Sequence, residues 1–249
     1  MIVRYALLAM SLASVARAGA WPQEADFGIS INSVGLARAE DGSQRILFDS
    51  YAEAGLDDGF TAVFAFESEI AEGMATYGLR GSGGLRLSFE PDAVSPWLLG
   101  VEARISYQDF GSTIGDPVFA GDGVGAIVQL DAGRGFEVWG RHAYTNLSVG
   151  WSWRGNTADE WRFNAVAGLD LDDDWQAGIG YFSTYAPGDL YDPGVYEKHE
   201  VQLSLRWKID ADYALAISAA QTVAVDRASD ETTLRLALWT FIYPEPAEN

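Results

Sequence analysis

The sequence predicts an all-β fold, a single transmembrane up-and-down antiparallel β-barrel of about 12 strands. Three observations lead there. Beyond the N-terminus no stretch approaches the roughly eighteen apolar residues of a spanning helix, which excludes a helical membrane protein. Period-two segments rich in aromatic and β-branched residues recur along the chain, separated by Gly/Asp/Pro/Ser clusters. Most of these segments run for about nine to fourteen residues, well beyond the five or six usual in soluble sandwiches and suited to a tilted strand crossing a bilayer.

The N-terminal stretch "MIVRYALLAMSLASVARAGA" sets Arg4 before an apolar run from Tyr5 to Leu12 and closes on small residues. That is the pattern of a secretory signal peptide over 1–20, with cleavage after Ala18 or Ala20. The barrel is expected over 21–243 and a short periplasmic tail over 244–249. Its strands are predicted at 26–37, 45–56, 60–68, 76–89, 97–107, 124–136, 142–154, 160–170, 175–185, 197–208, 213–223 and 231–243. Nothing resembles a linker or a second domain.

Alternation within the strands separates two faces. In 197–208, Val201, Leu203, Leu205 and Trp207 share one face, and Lys198, Glu200, Gln202, Ser204, Arg206 and Lys208 the other. In 160–170, Trp161, Phe163, Ala165, Ala167 and Leu169 oppose Arg162, Asn164 and Asp170. In 97–107, Leu99, Val101, Ala103 and Ile105 oppose Glu102, Arg104 and Ser106. A soluble barrel would turn the apolar face inward, whereas a membrane barrel turns it to lipid and lines its lumen with the polar one.

Aromatic positions favour the membrane. With a periplasmic start, strands three, five, nine and eleven open on Phe60, Trp97, Trp175 and Tyr213, which then share one membrane interface. Tyr107, Trp153, Trp161, Tyr185 and Tyr196 are expected near the opposite one. The stretches "GLDDGF" (55–60), "DLDDDW" (170–175) and "KIDADY" (208–213) are acidic turns, each followed by one aromatic, and each joins strands on the same side. They read as tight periplasmic turns, with the long connections 108–123 and 186–196 extracellular.

No cysteine is present, which excludes a disulfide framework and thiolate metal sites together. Removing Arg4 and Arg17 with the signal leaves 14 basic against 36 acidic residues, a net charge of −22. That excess argues against a nucleic-acid partner and reads as solvated loops and turns.

Several stretches carry a resemblance: "AWPQ" (20–23), "YAEAGLDD" (51–58), "GRGFEVWGRHAYTNLSVGWSWR" (133–154), "EKHEVQLSLRWKID" (197–210) and "LALW" (236–239). Over most of the mature chain the sequence resembles a family of proteobacterial outer-membrane proteins called XagA-like. The resemblance implies a β-barrel in the outer membrane of a Gram-negative bacterium and no particular activity. Outer-membrane lipid, and the barrel-assembly machinery during insertion, are the partners it implies. One departure is the C-terminus. Barrels of this kind commonly end on Phe, whereas this chain ends "WTFIYPEPAEN", where Trp239, Phe241 and Tyr243 supply aromatics before an acidic tail.

The motifs that carry chemistry are few. His142 opens strand seven beside a turn, and His199 lies on the lipid-side register near the outer end of strand ten. A barrel phospholipase would need a Ser or Asn side chain within reach of His199, and the local "EKHEV" does not resemble that enzyme's His-x-Ser-Asn arrangement. "GDGVGAIVQL" (121–130) mimics a phosphate loop but reads as a loop entering a strand. "DLDDD" (170–174) lacks the Gly turn and distal Glu of a calcium loop. Asn146-Leu147-Ser148 spells a glycosylation sequon inside a strand, where it carries no meaning. No cofactor, metal or catalytic residue is expected.

The remaining place for function is the lumen. The registers point Asp49, Glu53, Arg86, Glu102, Arg104, Arg162, Glu200, Arg206 and Lys208 inward. Either these charges line a water-filled passage for small polar solutes or ions, or they pair across a narrow interior and close it. The expected function is a narrow, porin-like channel or passive transporter. The alternatives are a plugged barrel serving envelope or surface integrity, and a lipid-modifying barrel using His199.

Overall fold

The computed structural model describes residues 23, 25, 27–57, 59–71, 77–91, 95–110, 123–155, 158–188, 196–226 and 230–243. The expected signal peptide (1–20) and tail (244–249) lie outside the described residues, as do 111–122 and 189–195 of the two longest connections.

Twelve strands follow in chain order: β1 (Gly28–Ala39), β2 (Gln44–Asp57), β3 (Phe60–Ala71), β4 (Tyr77–Phe89), β5 (Leu98–Phe110), β6 (Gly123–Val138), β7 (Arg141–Trp153), β8 (Glu160–Asp170), β9 (Trp175–Ala186), β10 (Tyr196–Lys208), β11 (Tyr213–Asp226) and β12 (Glu231–Ile242). Each pairs antiparallel with its chain neighbours. β1 pairs with β12 from Gly28↔Ile242 to Ala39↔Glu231, which closes the sheet into a barrel with no free edge.

Exposure inverts the pattern of a soluble barrel. In β5, Val101, Ile105 and Tyr107 are exposed, Ile105 to 70%, while Glu102, Arg104, Ser106 and Gln108 between them are buried. The same alternation sets Leu234 and Leu236 outward and Glu231 and Thr233 inward on β12. A sheet that exposes its aliphatic residues and buries its carboxylates and guanidinium groups is built for a surrounding apolar solvent.

The strand ends fall into two sets. At the turn end, Trp139 and Gly140 alone join β6 to β7. Both have positive φ (53° and 73°), as a type I′ hairpin turn requires, although one of them is a tryptophan. The turns after β8 and β10 share one device. Asp172 Oδ1 accepts the amides of Asp174 (2.9 Å) and Trp175 (2.8 Å), and Asp210 Oδ1 accepts those of Asp212 and Tyr213 (both 2.8 Å). The acidic residues of these turns therefore serve as local acceptors for the backbone. At the loop end, hydrogen bonds from the Ser43 hydroxyl and then from the Ser43 amide (2.9 Å) hold the Asp41 carboxyl below the usual range.

Phe60, Trp175 and Tyr213 stand exposed at the turn end, with Trp97 just before β5 beneath the Arg134 guanidinium, 6.0 Å from its ring. Tyr107, Trp153, Trp161 and Tyr185 are exposed near the loop end. Tyr196 departs from the expected belt. It opens β10 on the inward register and is buried, because its hydroxyl finds a carboxylate inside the barrel. Trp239 and Phe241 also take the inward register of β12. Trp239 is buried against Ile31, Val63, Ala214, Ala216 and Ala237.

Candidate functional site

The interior carries two tiers of charge. At the loop end the fully buried Glu160 sits among three guanidinium groups: Arg162 pairs with its Oε1, Arg154 Nη1 lies 3.5 Å from Oε2, and Arg80 Nη2 lies 3.9 Å from Oε1. The Tyr196 hydroxyl donates to the same carboxylate at 2.6 Å. Across the lumen, Arg45 bridges Glu69 (2.7 Å) and Glu231, and Lys198 lies 3.2 Å from Glu231 and 3.7 Å from Glu200. Arg235 stands between Asp49 (3.7 Å) and Glu200 (3.9 Å). Opposite charges at these spacings stabilise one another where isolated ones would be costly.

The second tier lies nearer the turn end, on β2, β4 and β5. Arg86 Nη1 is 2.7 Å from Glu53 and 3.7 Å from Glu102, and Arg104 Nε is 2.8 Å from Glu102, with all four side chains at most 2% exposed. The Tyr51 hydroxyl donates to Glu53, and Gln23, ahead of β1, donates its side-chain amide to the same carboxylate at 2.8 Å. The Gln23 backbone amide donates to Thr61 Oγ1 at 3.3 Å. The apolar cluster around Trp239, drawn from β1–β3 and β11–β12, includes Tyr51 and so adjoins this tier.

Between the tiers lies a cavity of about 240 Å³, room for roughly eight waters at ~30 Å³ each. Amide and hydroxyl groups of Gln129, Asn146, Ser148, Asn164 and Gln202 line one side, with Phe182 among them, and the loop-end ion pairs line the other. The nine charged residues singled out in the sequence separate into three groups. Asp49, Arg162 and Glu200 line this cavity, and Glu53, Arg86, Glu102 and Arg104 form the turn-end tier. Arg206 and Lys208 line a separate polar recess at the turn end beside Asp172–Asp174, where the Arg206 guanidinium lies 4.9 Å from the Trp239 ring.

Sequence reasoning missed Arg45, Arg80, Asp131, Glu160 and Arg235. The alternation "LRLAL" around Arg235 carried a usable signal, whereas Arg80 sits in the glycine-rich "LRGSGG", where small residues blur the period. Glycine serves packing in these strands. A Cβ at Gly168 would stand 2.3 Å from the Tyr144 ring, so β8 leaves that space for an inward tyrosine of β7.

No family model and no curated protein matches the sequence. Among solved structures the chain is similar to an outer-membrane channel from Pseudomonas putida F1, with a TM-score of 0.61 and 13% identity over 93% of this chain and 100% of that one. It is similar to the NanC porin with a TM-score of 0.58 and 10% identity, over 86% and 100% of the two chains. The beta domain of the Bordetella autotransporter BrkA matches with a TM-score of 0.52 and 11% identity, over 86% and 99%. The chain has the fold of an outer-membrane β-barrel. Its closed twelve-strand sheet, its apolar outer wall and its charged lumen are the features of that class.

His199 belongs to a polar constellation on the outer wall of β9 and β10. His199 Nε2 is hydrogen-bonded to Glu197 (2.7 Å) and Nδ1 to the Tyr181 hydroxyl (2.7 Å), with the Tyr181 and His199 rings stacked at 6.0 Å. Ser183 is the register partner of His199 on β9, yet among the described residues neither a serine nor an asparagine hydrogen-bonds the imidazole. Both ring nitrogens are engaged by Tyr181 and Glu197, which leaves the Ser–His pair of a lipid hydrolase unformed. His142 lies outside the strand core at the turn end, 3.5 Å from Asp170 and largely exposed.

Proposed function

We propose that the barrel is a narrow channel passing small polar solutes or ions across the outer membrane, with its short turns in the periplasm and its long connections outside. The cavity between the two charged tiers carries this reading: a lumen lined by amides, hydroxyls and ion pairs is wettable, as passage of a hydrated solute requires. The fold shared with the P. putida channel and the NanC porin supports it. The belts assigned to Phe60, Trp97, Trp175 and Tyr213 and to the loop-end aromatics give the wall its two interfaces with lipid. The stretches "YAEAGLDD" and "EKHEVQLSLRWKID" support placing the barrel in the XagA-like family, delivered to the membrane by the assembly machinery.

A second reading, an occluded barrel serving envelope integrity, draws on the turn-end tier, where buried ion pairs, Gln23 and the Trp239 cluster fill the same level. Single-channel recording of the refolded mature protein in a planar bilayer separates the two. Steady openings are expected, with an ion preference that moves when Glu102→Arg or Arg104→Glu reverses a charge in the turn-end tier. A correctly inserted but silent barrel would overturn the channel reading in favour of the occluded one.

A further inference from the structure

The geometry points to a phospholipid site on the outer wall of the barrel, with an anionic headgroup phosphate held at Arg134 and an acyl chain lying in the apolar groove over Ala132. The site is independent of whether the lumen conducts. It rests on the channel reading only for its leaflet, since that reading turns this end of the barrel to the periplasm.

Register builds the groove. Outward residues of β5, β6 and β7 stand in directly paired rows: Leu99, Ala132 and Leu147 in one, and Val101, Leu130 and Val149 in the next, two residues nearer the loop end. Phe163 continues the second row on β8, and Phe89 of β4 pairs with Leu99. Ala132 is the small member of this set. Among leucine, valine and phenylalanine side chains it leaves a dent, and the cavity there measures about 310 Å³. Phe89, Val101, Leu130, Leu147 and Val149 around it are exposed, so the dent opens on the outer wall and not into the lumen. A hollow lined by aliphatic and aromatic side chains offers water no partners and suits a hydrocarbon chain.

The polar end of the site lies on the other side of Ala132. Arg134 stands two residues nearer the turn end on the same face of β6, about 7 Å along the strand. Its guanidinium lies 6.0 Å from the ring of Trp97, one of the turn-end aromatics. Arg134 is half-buried, and among the described residues no carboxylate pairs with it. The guanidinium groups of the two interior tiers each have a carboxylate of their own. A cation over an indole at the membrane interface, followed by an apolar groove running toward the bilayer centre, repeats the order of a phospholipid, headgroup and then chain. Arginine offers a phosphate a planar fork of donors. The chain as a whole is strongly acidic and repels anionic lipid, so a preference for such lipid requires a local cation of this kind.

The test is native mass spectrometry of the folded, detergent-released barrel mixed with phosphatidylglycerol or with phosphatidylcholine of the same acyl chains. The wild type is expected to retain phosphatidylglycerol about fivefold better than phosphatidylcholine, the preference that one arginine near a membrane surface confers. Arg134→Gln should bring the two lipids level. Arg141→Gln, which removes the same charge nearer the hairpin tip, should leave the preference as it was. Ala132→Trp, which fills the dent from outside the barrel, should lower retention of both lipids. Each variant is first checked for heat-modifiable gel mobility. Equal retention of the two lipids by the wild type would overturn the site, as would a preference that survives Arg134→Gln, one lost equally in Arg141→Gln, or retention unchanged by Ala132→Trp. If Arg134→Gln does not fold, the wild-type comparison and Ala132→Trp decide. A barrel that is silent in the bilayer yet retains phosphatidylglycerol in this way would uphold the site and overturn the channel, while a conducting barrel without the preference would overturn the site only.

Discussion

Glu160 is the residue on which the loop-end tier depends. It is the first residue of β8, fully buried, and the shared counter-ion of Arg80, Arg154 and Arg162. Glu160→Gln keeps the shape and removes the charge, so three guanidinium groups are left facing one another inside the barrel. Breaking a buried pair in this way costs about 3–5 kcal/mol, and urea unfolding of the liposome-folded barrel should show a loss of that size. An unchanged midpoint would mean that water reaches the cluster. Its absence from the residues read in sequence has a physical cause. Glu102 and Arg104 stand mid-strand, between aliphatic residues that declare the period, while Glu160 stands at a strand end with only one flank. Tyr196 was misplaced for a different reason, since a tyrosine suits a membrane interface and a buried hydrogen bond equally well.

At the scale of elements, the turns explain a repeated sequence device. "DLDDDW" and "KIDADY" recur because in each the first aspartate of the turn proper, Asp172 or Asp210, accepts two backbone amides and so fixes the hairpin. Asp172→Ala and Asp210→Ala should each lower stability by about 1 kcal/mol, as read from the unfolding midpoints of the two single variants, since each carboxylate accepts its own pair of amides. Strand positions were legible to within about three residues, since a period of two over a dozen residues is hard to mistake. The last strand was legible in position. Trp239 and Phe241 share the register begun by Glu231 and Thr233, which carries them inward, where Trp239 is buried in the apolar cluster. The pairing of charges across the lumen was not legible, because it depends on how far each strand is staggered against its neighbour.

At the scale of the whole molecule, one inversion organises everything else. Aliphatic and aromatic side chains cover the outer wall, while buried carboxylates, guanidinium groups and amides fill the interior in two ion-paired tiers with a cavity between them. The native sequence lacks cysteine, so a single introduced thiol reports its own surroundings without interference. Ser148 and Val149 are neighbours on β7: Ser148 is buried and lines the cavity, whereas Val149 is exposed on the outer wall. The most direct measurement is labelling of Ser148→Cys and Val149→Cys in proteoliposomes by a small, membrane-impermeant cationic methanethiosulfonate. A wet lumen inside a lipid-facing wall predicts that the thiol at 148 is modified rapidly and the thiol at 149 stays protected. Protection at 148 with modification at 149 would contradict the account, as would protection at both.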